Sequence, residues 1–94
     1  MTINDLAVKH HEWIERMGWH NKTPLEMLAL VTSEVGEAVN ECRGITSTEH
    51  LGAELADIIL RVLDMAIECH IDLERALFDK MEINNRKGTL GRVK

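Results

Sequence analysis

Between Glu54 and Cys69 the charged side chains are Glu54, Asp57, Arg61, Asp64 and Glu68, at i, i+3, i+7, i+10 and i+14. On an α-helix that spacing confines them to one narrow stripe. Leu55, Ala56, Ile58, Ile59, Leu60, Val62, Leu63, Met65, Ala66 and Ile67 fill the rest of the circumference. A helix that is apolar on most sides must be covered on most sides. Three other helices from a chain of 94 residues can hardly provide that cover alone. The expectation is therefore a homo-oligomer, with this helix near the subunit interface and its polar stripe facing a cavity or solvent.

The rest of the chain also reads as helix, because apolar residues recur at i, i+3 and i+4 and nowhere alternate as in a strand. Thr2 with Asp5 opens a first helix that Gly18 can close. Thr23-Pro24-Leu25-Glu26 places a cap, a proline at the first helical position and a glutamate at the third, starting a helix that runs through Cys42 to Gly44. Thr46-Ser47-Thr48-Glu49 reads as a capping box for a third helix lasting to about His70. Asp72 caps a fourth, which fades near Gly88. The fold class is all-α: four helices forming one domain over residues 1–88, with 89–94 a mobile basic tail. The loop between the second and third helices is short, so these two should form a central antiparallel hairpin.

Composition narrows the function. The net charge of −5 argues against binding a nucleic-acid polymer through phosphate neutralisation. Cys42 and Cys69 are too few for a disulfide framework and read as buried free thiols in a cytoplasmic protein. The start, MTINDLAVKHHEW, lacks the apolar core of a signal peptide, and no apolar run approaches the length of a membrane span.

Two acidic pairs carry the chemistry. Glu34 and Glu37 share one helix face, as do Glu54 and Asp57, each pair about 5–6 Å apart at Cβ. Both interrupt strongly apolar stretches, LALVTSEVGEAV and LGAELADIILRVL. Like charges on a mostly covered helix are costly unless neutralised, and clustered oxygens are best neutralised by a hard divalent cation, Mg²⁺ above all. The competing reading is a solvated acidic face, as suits the pairs Glu12/Glu15 and Asp79/Glu82 in more polar surroundings. Gly36, between the two glutamates, costs a helix about 1 kcal/mol relative to Ala, which a close approach by another helix or a ligand would explain. A carboxylate-bridged di-iron centre needs Glu-x-x-His on two helices, and the sequence has none. The histidines His10, His11, His20, His50 and His70 show no zinc-like spacing with the cysteines.

Glu34-x-x-Glu37, sixteen intervening residues and Glu54-x-x-Asp57 together resemble the signature of the MazG-like, all-α nucleoside triphosphate pyrophosphohydrolases. The resemblance runs from about His10 to Gly88. The segments KMEINNRKG and His10 through Gly18-Trp19 look most like the deoxycytidine triphosphate pyrophosphatase branch. It implies a four-helix subunit completed by oligomerisation, as a dimer or tetramer. It also implies Mg²⁺ (or Mn²⁺ in its place) held by Glu34, Glu37, Glu54 and Asp57. The reaction implied cleaves a (deoxy)nucleoside triphosphate to the monophosphate and pyrophosphate. One carboxylate, Glu37 or Glu34, would take the proton of the attacking water. Lys80 and Asn84, one helical turn apart, match phosphate-facing positions; Arg86 would assist them less directly, because i+2 from Asn84 points elsewhere on a regular helix. Trp19 matches a base-stacking position and His10 another pocket residue.

The sequence departs from the branch at Arg61, where a tyrosine is usual, and at Cys42-Arg43-Gly44, which replaces a more aromatic helix end. Arg61 would then contact a phosphate, or pair with Asp57 and Asp64. Trp13, at helical spacing with Ile3, Leu6 and Met17, reads as packing. Two alternatives remain open on the sequence: a non-enzymatic helical interaction module, and the same fold acting on phosphoribosyl-ATP.

Overall fold

The computed structural model describes residues 1–19, 23–44 and 47–88. The expected basic tail, 89–94, lies outside them, as do His20 and Thr46. Four helices and no strand occur among the described residues: α1 (Ile3–Met17), α2 (Pro24–Glu41), α3 (Thr48–Glu68) and α4 (Leu73–Lys87). The all-α expectation holds.

The ends follow local chemistry. Thr2 and Thr23 each accept from the backbone N–H three residues on, and Asp5 and Glu26 return the bond to the cap's own N–H. Both are complete capping boxes, each satisfying two orphan N–H groups. At α3 the cap is Ser47, whose hydroxyl accepts from the His50 N–H. The expected box with Glu49 gives way to a register one residue later, because Ser47 is as good a cap as Thr46 and leaves His50 at the third position.

At its other end α3 closes through His70, in the left-handed region at φ 56°. The Ile71 N–H reaches back to the Ala66 carbonyl at 2.8 Å, which turns the chain sharply toward α4.

Helix α3 is the centre, packed against α2 on one side and α1 on the other. Glu34 of α2 meets Arg61 of α3, while Met27 lines the same small cavity as Asp64, so α2 and α3 run antiparallel. His11 meets Asp64 and Glu68, and Trp13 and Ile14 lie by Leu60, so α1 is antiparallel to α3 as well. Helix α4 joins mainly at its start. The Glu74 carboxylate accepts from the Ile3 N–H at 2.9 Å, and the Asn4 amide donates to Asp72 at 2.9 Å. An acid at the first turn of α1 also offsets the helix dipole.

The core is small. Among the described residues, Ala7, Met27, Leu63 and Ala66 are the buried apolar side chains. Leu28, Val35 and Val39 on α2, Leu55 and Ile59 on α3, and Leu77, Phe78 and Met81 on α4 are exposed, Phe78 by 62% and Met81 by 64%. The apolar circumference of α3 is thus only partly covered within the single chain.

Candidate active site

The antiparallel hairpin sets the middle of α2 opposite the start of α3. Carboxylate oxygens of Glu34, Glu54 and Asp57 lie within 4.8 Å of one another. Glu34 and Glu54 are half-buried and Asp57 is exposed. Glu34 Oε2 and Glu54 Oε2 are both buried and have no hydrogen-bond partner among the described residues. Desolvation, then repulsion from Glu37, Asp57, Glu34 and Glu41 in that order, pushes the Glu54 carboxyl above its ordinary value of 4.5. Glu37 is therefore close enough to act on Glu54, yet its carboxylate stands outside the cluster of three. Orphaned buried oxygens converging from two helices suit a hard cation that prefers oxygen, so this donor set fits Mg²⁺ or Mn²⁺.

Beside the acids opens a cavity of about 400 Å³, lined by His10, Trp13, Ile14, Trp19, Glu34, Asp57, Leu60, Arg61 and Asp64. Its aromatic wall has a local cause. Gly18 takes the left-handed conformation at φ 74°, and the Trp19 N–H reaches the Ile14 carbonyl at 3.1 Å. This turn folds Trp19 back onto α1, where it meets Trp13 edge to face at a centroid distance of 5.2 Å. His10 lies 5.8 Å from Trp13. Glycine meets no steric penalty at this positive φ.

Helix α4 contributes differently. Lys80 is exposed, and Asn84 is half-buried with Oδ1 buried and without a partner among the described residues. Neither residue lines the cavity. Arg86 is exposed and lies 3.8 Å from Glu82 on its own helix.

Several expectations change. Arg61 pairs with neither Asp57 nor Asp64. Its Nε and Nη2 both donate to Glu34 Oε1 at 3.3 Å, across the hairpin. Trp13 is not a core packing residue; it is partly exposed and lines the cavity. Its companions Ile3, Leu6 and Met17 are exposed too. A Cβ added at Gly36 would meet nothing within 4 Å, so no helix of the subunit requires that glycine. Cys42 is exposed and Cys69 half-buried, both as free thiols.

His11, which has no recognisable signature in the sequence, joins two helices. Its Nδ1 lies 3.0 Å from Asp64 and 3.7 Å from Glu68, and its Nε2 lies 3.1 Å from Glu15. With both ring nitrogens engaged, the cluster clips α1 to α3.

An all-α subunit with acidic residues gathered on a central hairpin is the architecture expected of the MazG-like class, and the described fold is consistent with it. The chain is 26% identical over 99 aligned positions to dCTP pyrophosphatase 1 of Mus musculus, and 27% identical to dCTP pyrophosphatase 1 of Homo sapiens. The protein of the same name from Bos taurus is 26% identical. These alignments cover 92% of this chain, but 58% of the mouse and human proteins and 59% of the bovine one. This weak homology supports a relationship to the MazG-like dCTP pyrophosphatases. No family model matches the chain, and no solved structure is a significant match.

Proposed function

We propose that the protein is a divalent-metal-dependent nucleoside triphosphate pyrophosphohydrolase, converting a (deoxy)nucleoside triphosphate to the monophosphate and pyrophosphate in control of the nucleotide pool. The observation that carries this reading is the convergence of Glu34, Glu54 and Asp57 beside an aromatic cavity. The distant dCTP pyrophosphatase relatives support the substrate class.

Glu34, Glu54 and Asp57 would hold Mg²⁺, with Glu37 beside them completing the set or accepting a proton from the attacking water. The metal, when bound, supplies charge neutralisation for the triphosphate and an acidified water. Trp19, Trp13 and His10 together line the part of the cavity where a base would stack. Placing the triphosphate at the acids and the base at the indoles uses both halves of the site at once.

Oligomerisation is part of the same proposal. The exposed Leu55 and Ile59 of α3, with Leu77, Phe78 and Met81 of α4, would be covered by further copies of the chain, as a dimer or tetramer. Lys80 and Asn84 sit on α4, outside the cavity of the single subunit, and would reach phosphates in that assembly. Among the described residues no helix is long and apolar enough to cross a membrane, and a cytoplasmic setting suits two free thiols. The test is product identity. With Mg²⁺ and a panel of canonical and modified triphosphates, chromatography should show a monophosphate and pyrophosphate in equal amounts. A diphosphate with orthophosphate, or no turnover of any member, would overturn the proposal.

A further inference from the structure

The acids on α2 and α3 face an electrostatic problem before any metal arrives, and one residue of α3 answers it. Arg61 projects from α3 one turn beyond Asp57 and gives two nitrogens to the same oxygen of Glu34, each at 3.3 Å. Glu34 is the shared member: Oε1 takes the guanidinium, while Oε2 is buried and unpartnered. The Glu34 side chain is only 13% exposed, whereas Arg61 is 42% exposed and stands on the cavity rim. It is the only arginine or lysine among the described residues that line that cavity.

We infer that Arg61 is a displaceable counter-cation that couples metal binding to polyphosphate binding; the inference rests on the metal reading above. The guanidinium offsets Glu34 in the metal-free protein. A dication taking the Glu34 oxygens meets a like charge and weakens the pair. Arg61 is long, exposed and attached to a rigid helix, so it can turn from Glu34 into the cavity it already borders. There its planar fork suits phosphate oxygens. The polyphosphate in turn holds the guanidinium away from Glu34, so each ligand favours the other. Such coupling is reciprocal by necessity. Arg61 is thus a positioning residue toward the metal and a binding residue toward the anion.

Mn²⁺ binding followed by electron paramagnetic resonance tests this without turnover, alone and with a non-hydrolysable α,β-methylene triphosphate. Wild type should bind Mn²⁺ more tightly when the analogue is present, by about 5- to 150-fold, the usual range of coupled sites. Arg61→Gln should bind Mn²⁺ alone about 2- to 5-fold more tightly, as expected for removing a competing exposed ion pair, and should lose most of the enhancement by the analogue. Arg61→Lys should recover part of it. Circular dichroism should show all three folded alike, since the Arg61 side chain is largely outside the core. If Arg61→Gln binds Mn²⁺ no more tightly than wild type, or keeps the full enhancement, the coupling role is wrong while the metal site stands. If wild type binds no Mn²⁺ under any condition, both the coupling and the metal reading fail.

Discussion

Asp57→Asn should make the metal-free protein more stable and the metal response weaker. Carboxylate oxygens of Asp57 and Glu34 lie within 4.8 Å. Two unit charges at that separation repel by about 0.9 kcal/mol in water and about 3.5 kcal/mol at an effective dielectric of about 20. Asp57 is exposed, which places the relief near the lower figure, about 1 kcal/mol. In a domain of this size that corresponds to a rise of roughly 4–8 °C in Tm. The separation is shorter than the screening length of about 10 Å at 0.1 M salt, so the effect should survive ordinary buffer.

Removing Asp57 also takes one repulsive neighbour from Glu54, whose carboxyl lies above its ordinary value. A raised carboxyl pKa penalises the fold fully above that pKa, and the penalty fades as pH falls from there to the ordinary value, so the gain from Asp57→Asn should shrink in acid. Mg²⁺ reverses the order. At about 100 times Kd, a ligand specific for the folded state adds about 2.7 kcal/mol, roughly 11–22 °C by the same scaling. The variant, with one donor of three neutralised, should gain far less. Differential scanning fluorimetry with and without Mg²⁺ reads both effects. A metal-free Tm that falls, together with an undiminished Mg²⁺ shift, would refute the electrostatic reasoning.

Leu63→Ala, at the largest fully buried side chain, should cost about 2–5 kcal/mol; thermal melting should show a loss of at least about 8 °C. Trp19→Ala should raise KM for a triphosphate substrate by about 5- to 150-fold with little change in kcat, since base–aromatic stacking is worth about 1–3 kcal/mol; steady-state kinetics checks it. Asp72 is held below its ordinary value of 3.8 by the Asn4 side-chain amide, then by the Arg75 N–H and the Arg75 charge. Its contribution is therefore complete above that ordinary value and lost as pH falls through the depressed one. Asp72→Ala should be less stable than wild type to urea at pH 7, with the difference narrowing in strong acid.

Helix starts were legible because capping is local: Thr2, Thr23 and Asp72 each meet their partner three residues on. Ser47 shows the limit of that logic, since Thr46 and Ser47 offer rival registers one residue apart and only the backbone decides. The i, i+3 spacing placed Glu54 and Asp57 on one face, and a short loop brought Glu34 opposite them. What crosses between helices was less legible. The Arg61 bond to Glu34 and the His11 bond to Asp64 depend on helix register, which no spacing within one helix encodes. Trp13 was misread because helical periodicity marks which face turns inward, but not whether that face meets a core or a cavity.

The most direct measurement of the central claim is pyrophosphate release by the Glu54→Gln/Asp57→Asn double variant under Mg²⁺ titration, beside the wild type. Wild type should release pyrophosphate in a Mg²⁺-dependent manner, and the variant, helical by circular dichroism, should stay at background at every Mg²⁺ concentration. Wild-type rates in the variant would contradict the assignment of the acidic cluster as the metal-holding catalytic centre.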